Sequence, residues 1–388
     1  MVKAYVRAAL FTFLCAFSMT ATAQEHAVHT GEEDAHYGEG DAVNTREEVK
    51  QFIGHHLKDS HYFTLFEDVE SGYHLSLPLP VILWDEGLQV FSASQFHHGS
   101  EVAEVNGNYY SLYHNKIYRT NADGDVTIDE HGHPTQLKPL DFSITKNVVT
   151  MFIVGFIMFL LFRSLANNYK KRSIPKGIGR VLEPLVVYVR DEIAIPNIGE
   201  KKYRRFMGYL LSVFFFIWIA NMLGLTPLGT NLTGSISVTF TLAAFTYLIT
   251  QFSGNKDYWK HIFWMPGVHP VMKIFFIPIE ILGTLTKPFA LLIRLYANIT
   301  AGHVVLFTLF GLITVMKTTM GGGAATGYGV FFFIMSLFIT VIELLVAFLQ
   351  AYIFTILSAL FIGMAVADHD HDHHGEEADA EDVREEFV

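Results

Sequence analysis

The sequence is poor in cysteine and in charge, and it carries no internal repeat. Its single cysteine among 388 residues, Cys15, excludes an internal disulfide framework. Charged residues reach only 17% against 51% hydrophobic. The apolar residues are gathered into long blocks, so the chain is an integral membrane protein. The formal net charge of -11 sits mostly at the two ends, and without a basic excess there is no footing for nucleic acid.

What the chain does have begins with Lys3 and Arg7, the apolar run Ala8–Phe17, and Ala21-Thr22-Ala23 before Gln24. Residues 1–23 fit a secretory signal peptide with an A-x-A cleavage site, whose removal takes Cys15 with it. An apolar core of about 10 residues is too short for a first transmembrane helix. Residues 24–146 have a soluble character and form a periplasmic extension. A disordered lead precedes short aromatic segments such as VILWDEGLQVF and NYYSLYHNKIYRT, and Asn106-Gly107 and Ala122-Asp123-Gly124 give turn signals. Alternation around such turns fits a small β-rich domain. Its histidines are closely spaced only at His55-His56, His97-His98 and His131-x-His133, so a solvated His-rich surface is favoured over a metal site.

The membrane part opens with Val148–Phe162. Arg163, Lys170, Lys171, Arg172, Lys176 and Arg180 then mark a cytoplasmic loop. Residues 178–195 alternate apolar and charged positions as an interfacial helix does. Spans follow at Phe206–Leu225 and at Ile236–Phe252, the latter rich in hydroxyls: Ser237, Thr239, Thr241, Thr246 and Thr250. The blocks Ile274–Met316 and Val330–Ala367 run to about 40 positions each. That makes ~60 Å of helix against a hydrocarbon core of ~30 Å. They form a long, steeply tilted hairpin, with Gly321-Gly322-Gly323 and Gly327 as its turn and Pro278, Gly283 and Pro288 as places where it can bend.

Residues 289–303, FALLIRLYANITAGH, put Arg294 inside this apolar run. A guanidinium stays charged, and at a bilayer centre it costs ~2.5–3.5 kcal/mol or more. Glu280, Thr284, Lys287, Leu291, Arg294, Asn298 and Gly302 share one helical stripe at spacings of three and four. Glu343, Ala347, Gln350 and Phe354 share another on the second helix, where small Ala347 and Ala351 permit close approach. In an antiparallel hairpin one register brings Arg294 level with Gln350 and His303 level with Glu343. The rises between the pairs agree, at ~13.5 and ~10.5 Å. Glu343 and His303 can titrate in the physiological range, which suits proton movement. The alternative is a buried Glu343–His303 pair that holds the hairpin together.

The stretch RLYANITAGH, with NMLGLTP at 221–227, GSISVT at 234–239, Pro-Ile-Glu at 278–280 and LQAYIF at 349–354, resembles subunit a of the F-type rotary ATP synthases over about 147–367. The resemblance implies an all-α membrane domain whose hairpin faces a ring of c subunits. It makes Arg294 the essential arginine opposite the ring carboxylates and Gln350 its close partner. Two offset half-channels would carry protons. Glu280 serves the inner one and His303 and Glu343 the outer one, with Asn298, Asn221, Ser237 and Thr239 lining the water path. In many bacterial relatives the acid follows the arginine helix's glycine and the histidine sits on the last helix; here His303 and Glu343 are exchanged. The implied partners are the c-ring, the subunit b peripheral stalk, the remaining synthase subunits and the lipid of a cell inner membrane. The chain is not itself catalytic and needs no cofactor or metal. Residues 368–388 read as a disordered, acidic, His-rich cytoplasmic tail. The competing reading is an ion-coupled secondary transporter that uses Arg294 to bind an anion, for which inverted repeats and broken helices are expected.

Overall fold

The computed structural model describes residues 59–68, 73–129, 134–171, 177–226, 230–264, 270–320 and 322–367. The expected signal peptide, the start of the extension and the acidic tail lie outside these residues.

The first described unit is a β-domain of three small antiparallel sheets. Strands β1 (Tyr62–Asp68) and β2 (Tyr73–Pro78) pair with each other. In the second sheet β3 (Pro80–Trp84) lies between β4 (Leu88–Ser92) and β8 (Leu140–Asp141). The third joins β5 (Ala103–Val105), β6 (Asn108–Tyr113) and β7 (Lys116–Thr120). Asn106 and Gly107 make the tight turn between β5 and β6, both at positive φ (54° and 83°), as a two-residue hairpin requires. The segment NYYSLYHNKIYRT is not one strand but two, folded at His114 and Asn115 (φ 49° and 62°). Ala122-Asp123-Gly124 closes a turn through Gly124 N–H to Asn121 O, outside any hairpin. Tyr62, Val81, Leu83, Phe91, Phe96, Tyr110 and Ile117 form the domain core. Their burial supplies most of its stability, at roughly 1.5–3 kcal/mol for each large side chain.

No free linker separates this domain from the membrane helices. Ile144 N–H donates to Pro80 O and Lys146 N–H to Ser60 O. Asn147 N–H reaches the Asp59 carboxylate at 3.1 Å. An acid at this place caps the first helical turn and complements its dipole. Burial pushes the Asp59 carboxyl up, against the pull of its bonds from Thr145 and Asn147.

Among the described residues, five helices are long and apolar enough to cross a membrane. They are α1 (Lys146–Lys171), α4 (Tyr203–Gly224), α5 (Ile236–Ser253), α7 (Pro270–Met320) and α8 (Gly322–Val366); α2 (Ile178–Tyr188), α3 (Ile195–Ile198) and α6 (Lys256–Phe263) are shorter. Helix α1 runs nine residues beyond the expected Phe162, so Arg163, Lys170 and Lys171 lie on the helix and not in a loop. Charged side chains there can reach the interface along their apolar stems. Residues 178–198 form a chain of short helices joined by a π turn at Val189–Ala194. The hairpin turn is tighter than its glycines suggested: α8 starts at Gly322, so Gly323 and Gly327 are helical. The helix of α7 continues through Pro278 and Pro288.

Helix α4 is the centre of the membrane body, with Phe214, Phe215 and Ile217 fully buried. Phe214 meets Phe215 and Phe348 edge-on, at 5.3 and 5.8 Å between ring centroids, a preferred aromatic geometry. The end of α8 is tied down by Lys202 Nζ and Asn255 Nδ2, which donate to Val366 O at 2.6 and 2.9 Å. A cation there also suits the helix dipole. These bonds put the start of α4, the end of α5 and the end of α8 at one end of the bundle. At the opposite α7–α8 level, Ala347 and Ala351 are buried and let the two backbones close.

Candidate functional site

Helix α7 turns Leu291, Leu295 and Ile299 inward, where they are buried. Arg294 is thereby left on the exposed side, between exposed Ala290, Ala297 and Ala301. The flanking outward residues are apolar: Phe289, Ile293, Leu345 and Leu349. Among the described residues no acid forms an ion pair with Arg294. Its surroundings are thus one fixed positive charge on an apolar face, with small neighbours that admit a close-packed helix.

One turn along, Asn298 Nδ2 donates to Gln350 Oε1 at 2.8 Å across the hairpin. Gln350 is buried. The amide expected beside Arg294 is therefore bonded to Asn298, one turn away, and that bond ties the two helices at that level.

Toward the hairpin turn, Glu343 faces Gly302. A methyl carbon built on Gly302 would stand 2.5 Å from Glu343 Oε1. His303, the next residue round the helix, is buried and points elsewhere. Its Nε2 lies 3.3 Å from where a side chain on Gly224 would begin, beside Thr230 O. The structure brings Glu343 and His303 to one level but not into an ion pair. Asn221 completes this end: its Oδ1 accepts from Thr233 Oγ1 at 2.6 Å and its Nδ2 reaches Ala347 O at 3.4 Å. Thr230 Oγ1, Asn231 Nδ2, Thr300 Oγ1 and Glu343 Oε2 are buried without a hydrogen-bond partner among the described residues. Buried polar atoms of this kind mark places for ordered water. Thr230, Asn231, Thr233 and Thr300 were not singled out from the sequence. The first three sit in a connecting turn with no periodicity to expose them.

Toward the other end, a narrow crevice between α5, α6, α7 and α8 is lined by Thr246, Tyr247, Thr250, Gln251, Tyr258, Thr284 and Lys287, with Pro288, Leu291 and Phe361 as its apolar wall. Tyr209 OH and Thr246 Oγ1 are 2.7 Å apart, and Thr246 Oγ1 and Ser358 Oγ 3.3 Å. Gln251 Nε2 donates to Tyr258 OH at 3.3 Å. Glu280 lies nearby with Oε1 3.8 Å from His261 Nδ1. The crevice closes at Leu291, one turn short of Arg294.

Most hydroxyls of α5 are turned back on their own helix. Thr239, Thr241, Thr246 and Thr250 each donate to the carbonyl four residues earlier, which satisfies them inside an apolar body. Thr239 is fully buried by this arrangement and Ser237 half-buried. Neither lines the crevice.

A family model described as ATP synthase A chain matches residues 148–363. The chain belongs to that family. It is similar to "ATP synthase subunit a" of Chloroherpeton thalassium, 47% identical over 61% of this chain and 70% of the relative. The corresponding figures are 46%, 62% and 68% for "ATP synthase subunit a 2" of Chlorobaculum tepidum. "ATP synthase subunit a 2" of Prosthecochloris aestuarii is 39% identical over 76% of this chain and 94% of its own length. Residues 52–142 match a second model, described as a domain of unknown function (DUF8433). Family membership makes the chain a multi-pass membrane subunit of an F-type ATP synthase, working in assembly with other subunits. It leaves the self-contained transporter reading without support.

Proposed function

We propose that the chain conducts protons between the two sides of the membrane and a rotating ring of c subunits, with Arg294 as the fixed charge against which ring carboxylates pass. The observation that carries this is the unpaired Arg294 on an exposed apolar face. A charge so placed needs a counter-charge that the described residues do not supply.

The outer path runs through the Thr230, Asn231 and Asn221 cluster to His303 and Glu343. The inner path is the crevice from Glu280 and Tyr258 to Lys287 and Leu291. They end about 18 Å apart along α7, the helical rise from Leu291 to His303, with Arg294 between their ends. A proton arriving from outside passes to a ring carboxylate, which loses its charge and can turn into lipid. A protonated site returning to Arg294 releases its proton into the inner path, since the guanidinium favours the ionised carboxylate. Arg294 also repels hydronium and so seals the gap between the paths. Each proton brings ~2.3 kcal/mol per 100 mV of potential. The subunit does no bond chemistry of its own. The ring, the subunit b stalk and the remaining synthase subunits are its partners.

Orientation follows from charge. Lys170 and Lys171 end α1, Lys201 and Lys202 precede α4, Arg204 and Arg205 lie in its first turn, and Lys256 and Lys260 follow α5. That basic end faces the cytoplasm, so the β-domain is periplasmic and the C-terminus cytoplasmic, in a cell inner membrane. Domain limits of 1–23, 24–146, 147–367 and 368–388 accompany this proposal.

The test is Arg294→Ala in the assembled synthase. ATP-driven proton pumping in inverted vesicles is expected to fall at least 100-fold, to background, while the detached catalytic head still hydrolyses ATP. Retained coupled pumping overturns the proposal.

A further inference from the structure

The second sheet of the β-domain is apolar on both faces. Val81, Leu83 and Phe91 point into the core. On the other face Trp84 stands opposite Leu88 on β4 and Leu140 on β8, and Ile82 stands opposite Val90; such cross-strand neighbours share a face. Phe142, two residues after Leu140, continues that face, its N–H bonded to Ile82 O. Trp84 is 57% exposed, Leu88 60%, Val90 58%, Leu140 53% and Phe142 43%. An antiparallel sheet with one face in water alternates apolar inward and polar outward. This one does not, and a continuous apolar face marks an interaction surface.

Its position identifies what covers it. Phe142 is four residues before Lys146, the first residue of α1. Even fully extended chain spans no more than about 14 Å over that length. Nor is the connection slack: the bonds from Ile144, Lys146 and Asn147 back to residues 59–80 fix the sheet against the first turn of a membrane helix. The polar zone of a bilayer is itself roughly 5–7 Å deep on each side. A sheet rooted this close cannot stand away from the lipid. Its exposed group nearest β8 is an indole, the side chain enriched at headgroup level.

We propose that the outer face of the β3–β4–β8 sheet rests on the lipid surface of the leaflet where α1 begins, with Trp84, Leu88, Val90, Leu140 and Phe142 in the headgroup boundary. The domain then acts as a footing that fixes the depth and tilt of α1. This does not depend on the proton path.

The test uses the assembled synthase in lipid nanodiscs, with Cys15→Ser and a single nitroxide label at Leu88→Cys, Val90→Cys or, as the water-exposed control, Asp123→Cys. Accessibility of the label is read against oxygen, which concentrates in lipid, and against a water-soluble nickel chelate. At positions 88 and 90 the oxygen-to-nickel ratio is expected to be at least fivefold that at 123. A ratio equal to the control shows the face in water and overturns the proposal. Protection from both reagents shows a protein cover, a partner subunit or residues 24–58 of this chain, and overturns it equally.

Discussion

Arg119 in the β-domain and Arg294 on α7 carry the same guanidinium in opposite circumstances. Arg119 donates to Asp85 at 3.3 Å, to Glu86 at 3.1 Å and to Asn108 at 2.8 Å. Asp85 in turn accepts from Tyr110 OH at 3.1 Å. Arg294 has no acidic partner among the described residues, although it sits where an unpaired charge costs far more. If both served only the fold, the pairing would be reversed. In the domain bordered by water Arg119 is satisfied within the chain, whereas in the membrane body Arg294 has no acidic partner and Glu343 Oε2 no hydrogen-bond partner among the described residues.

Exchanging the fates of these two arginines is the strongest way to break that contrast. Loss of pumping in Arg294→Ala is the largest effect expected, with the protection of β-domain amides unchanged. Arg119→Met should do the reverse. Asp85 is 7% exposed, so it would be left as a buried acid with Tyr110 as its remaining side-chain partner among the described residues. Removing the partner of a buried acid destabilises the fold, and the 32% exposure of Arg119 moderates that loss through solvent screening. Hydrogen exchange of the β6 and β7 amides in the intact synthase should speed up, with pumping retained. A variant that damages both equally would collapse the distinction.

A weaker pair in the same domain sharpens it through pH. Burial alone would raise the Asp141 carboxyl, but the hydrogen bond and charge of His61, with bonds from Ser143, bring it below its ordinary value. A lowered folded pKa contributes stability above the unfolded value of about 3.9, and that contribution is lost as pH falls through the folded pKa. Asp141→Asn should therefore reduce protection of the β3–β8 amides at pH 7 by up to about tenfold, ~1 kcal/mol. The gap from the wild type should narrow only below about pH 4, as the pH falls from the unfolded pKa through the lowered folded one. A gap that closes near pH 6 would assign the effect to another group.

The hairpin and its height register were legible in the sequence because two apolar blocks of that length have few arrangements, and the one buried-looking arginine dates the level of everything else. The azimuth was not. Adjacent helical residues differ by about 100°, so a register that sets His303 level with Glu343 cannot say that Glu343 meets Gly302 while His303 turns to Gly224. The Asn106-Gly107 hairpin was legible because glycine announces positive φ. The His114-Asn115 turn was not, since neither residue demands it, though asparagine tolerates it. The hydroxyls of α5 invited a water path in a helix where most are bonded to their own backbone. The polar atoms that lack partners belong to the connection after α4, where no pattern of three and four exists.

The smallest expected effect concerns the one cross-hairpin bond beside Arg294. Asn298 and Gln350 bind each other at 2.8 Å, and a buried interhelical bond in a membrane is worth on average ~0.6 kcal/mol, because the separated helices find other partners. If the pair serves only to hold α7 to α8, Asn298→Ala and Gln350→Ala should show a coupling of about that size in a double-mutant cycle on thermal release of the subunit from the synthase. Pumping should then fall only as far as assembly does. If the pair also sets the reach of Arg294 toward the ring, the single variants should lower pumping per assembled complex by several-fold while release shifts little. Gln350→Glu offers the sharper contrast. It places an acid one turn from Arg294 inside the chain, supplying the counter-charge whose absence distinguishes Arg294 from Arg119. Pumping per assembled complex should fall below that of Gln350→Ala, and equal rates in the two variants would show that Arg294 does not respond to a carboxylate at that level.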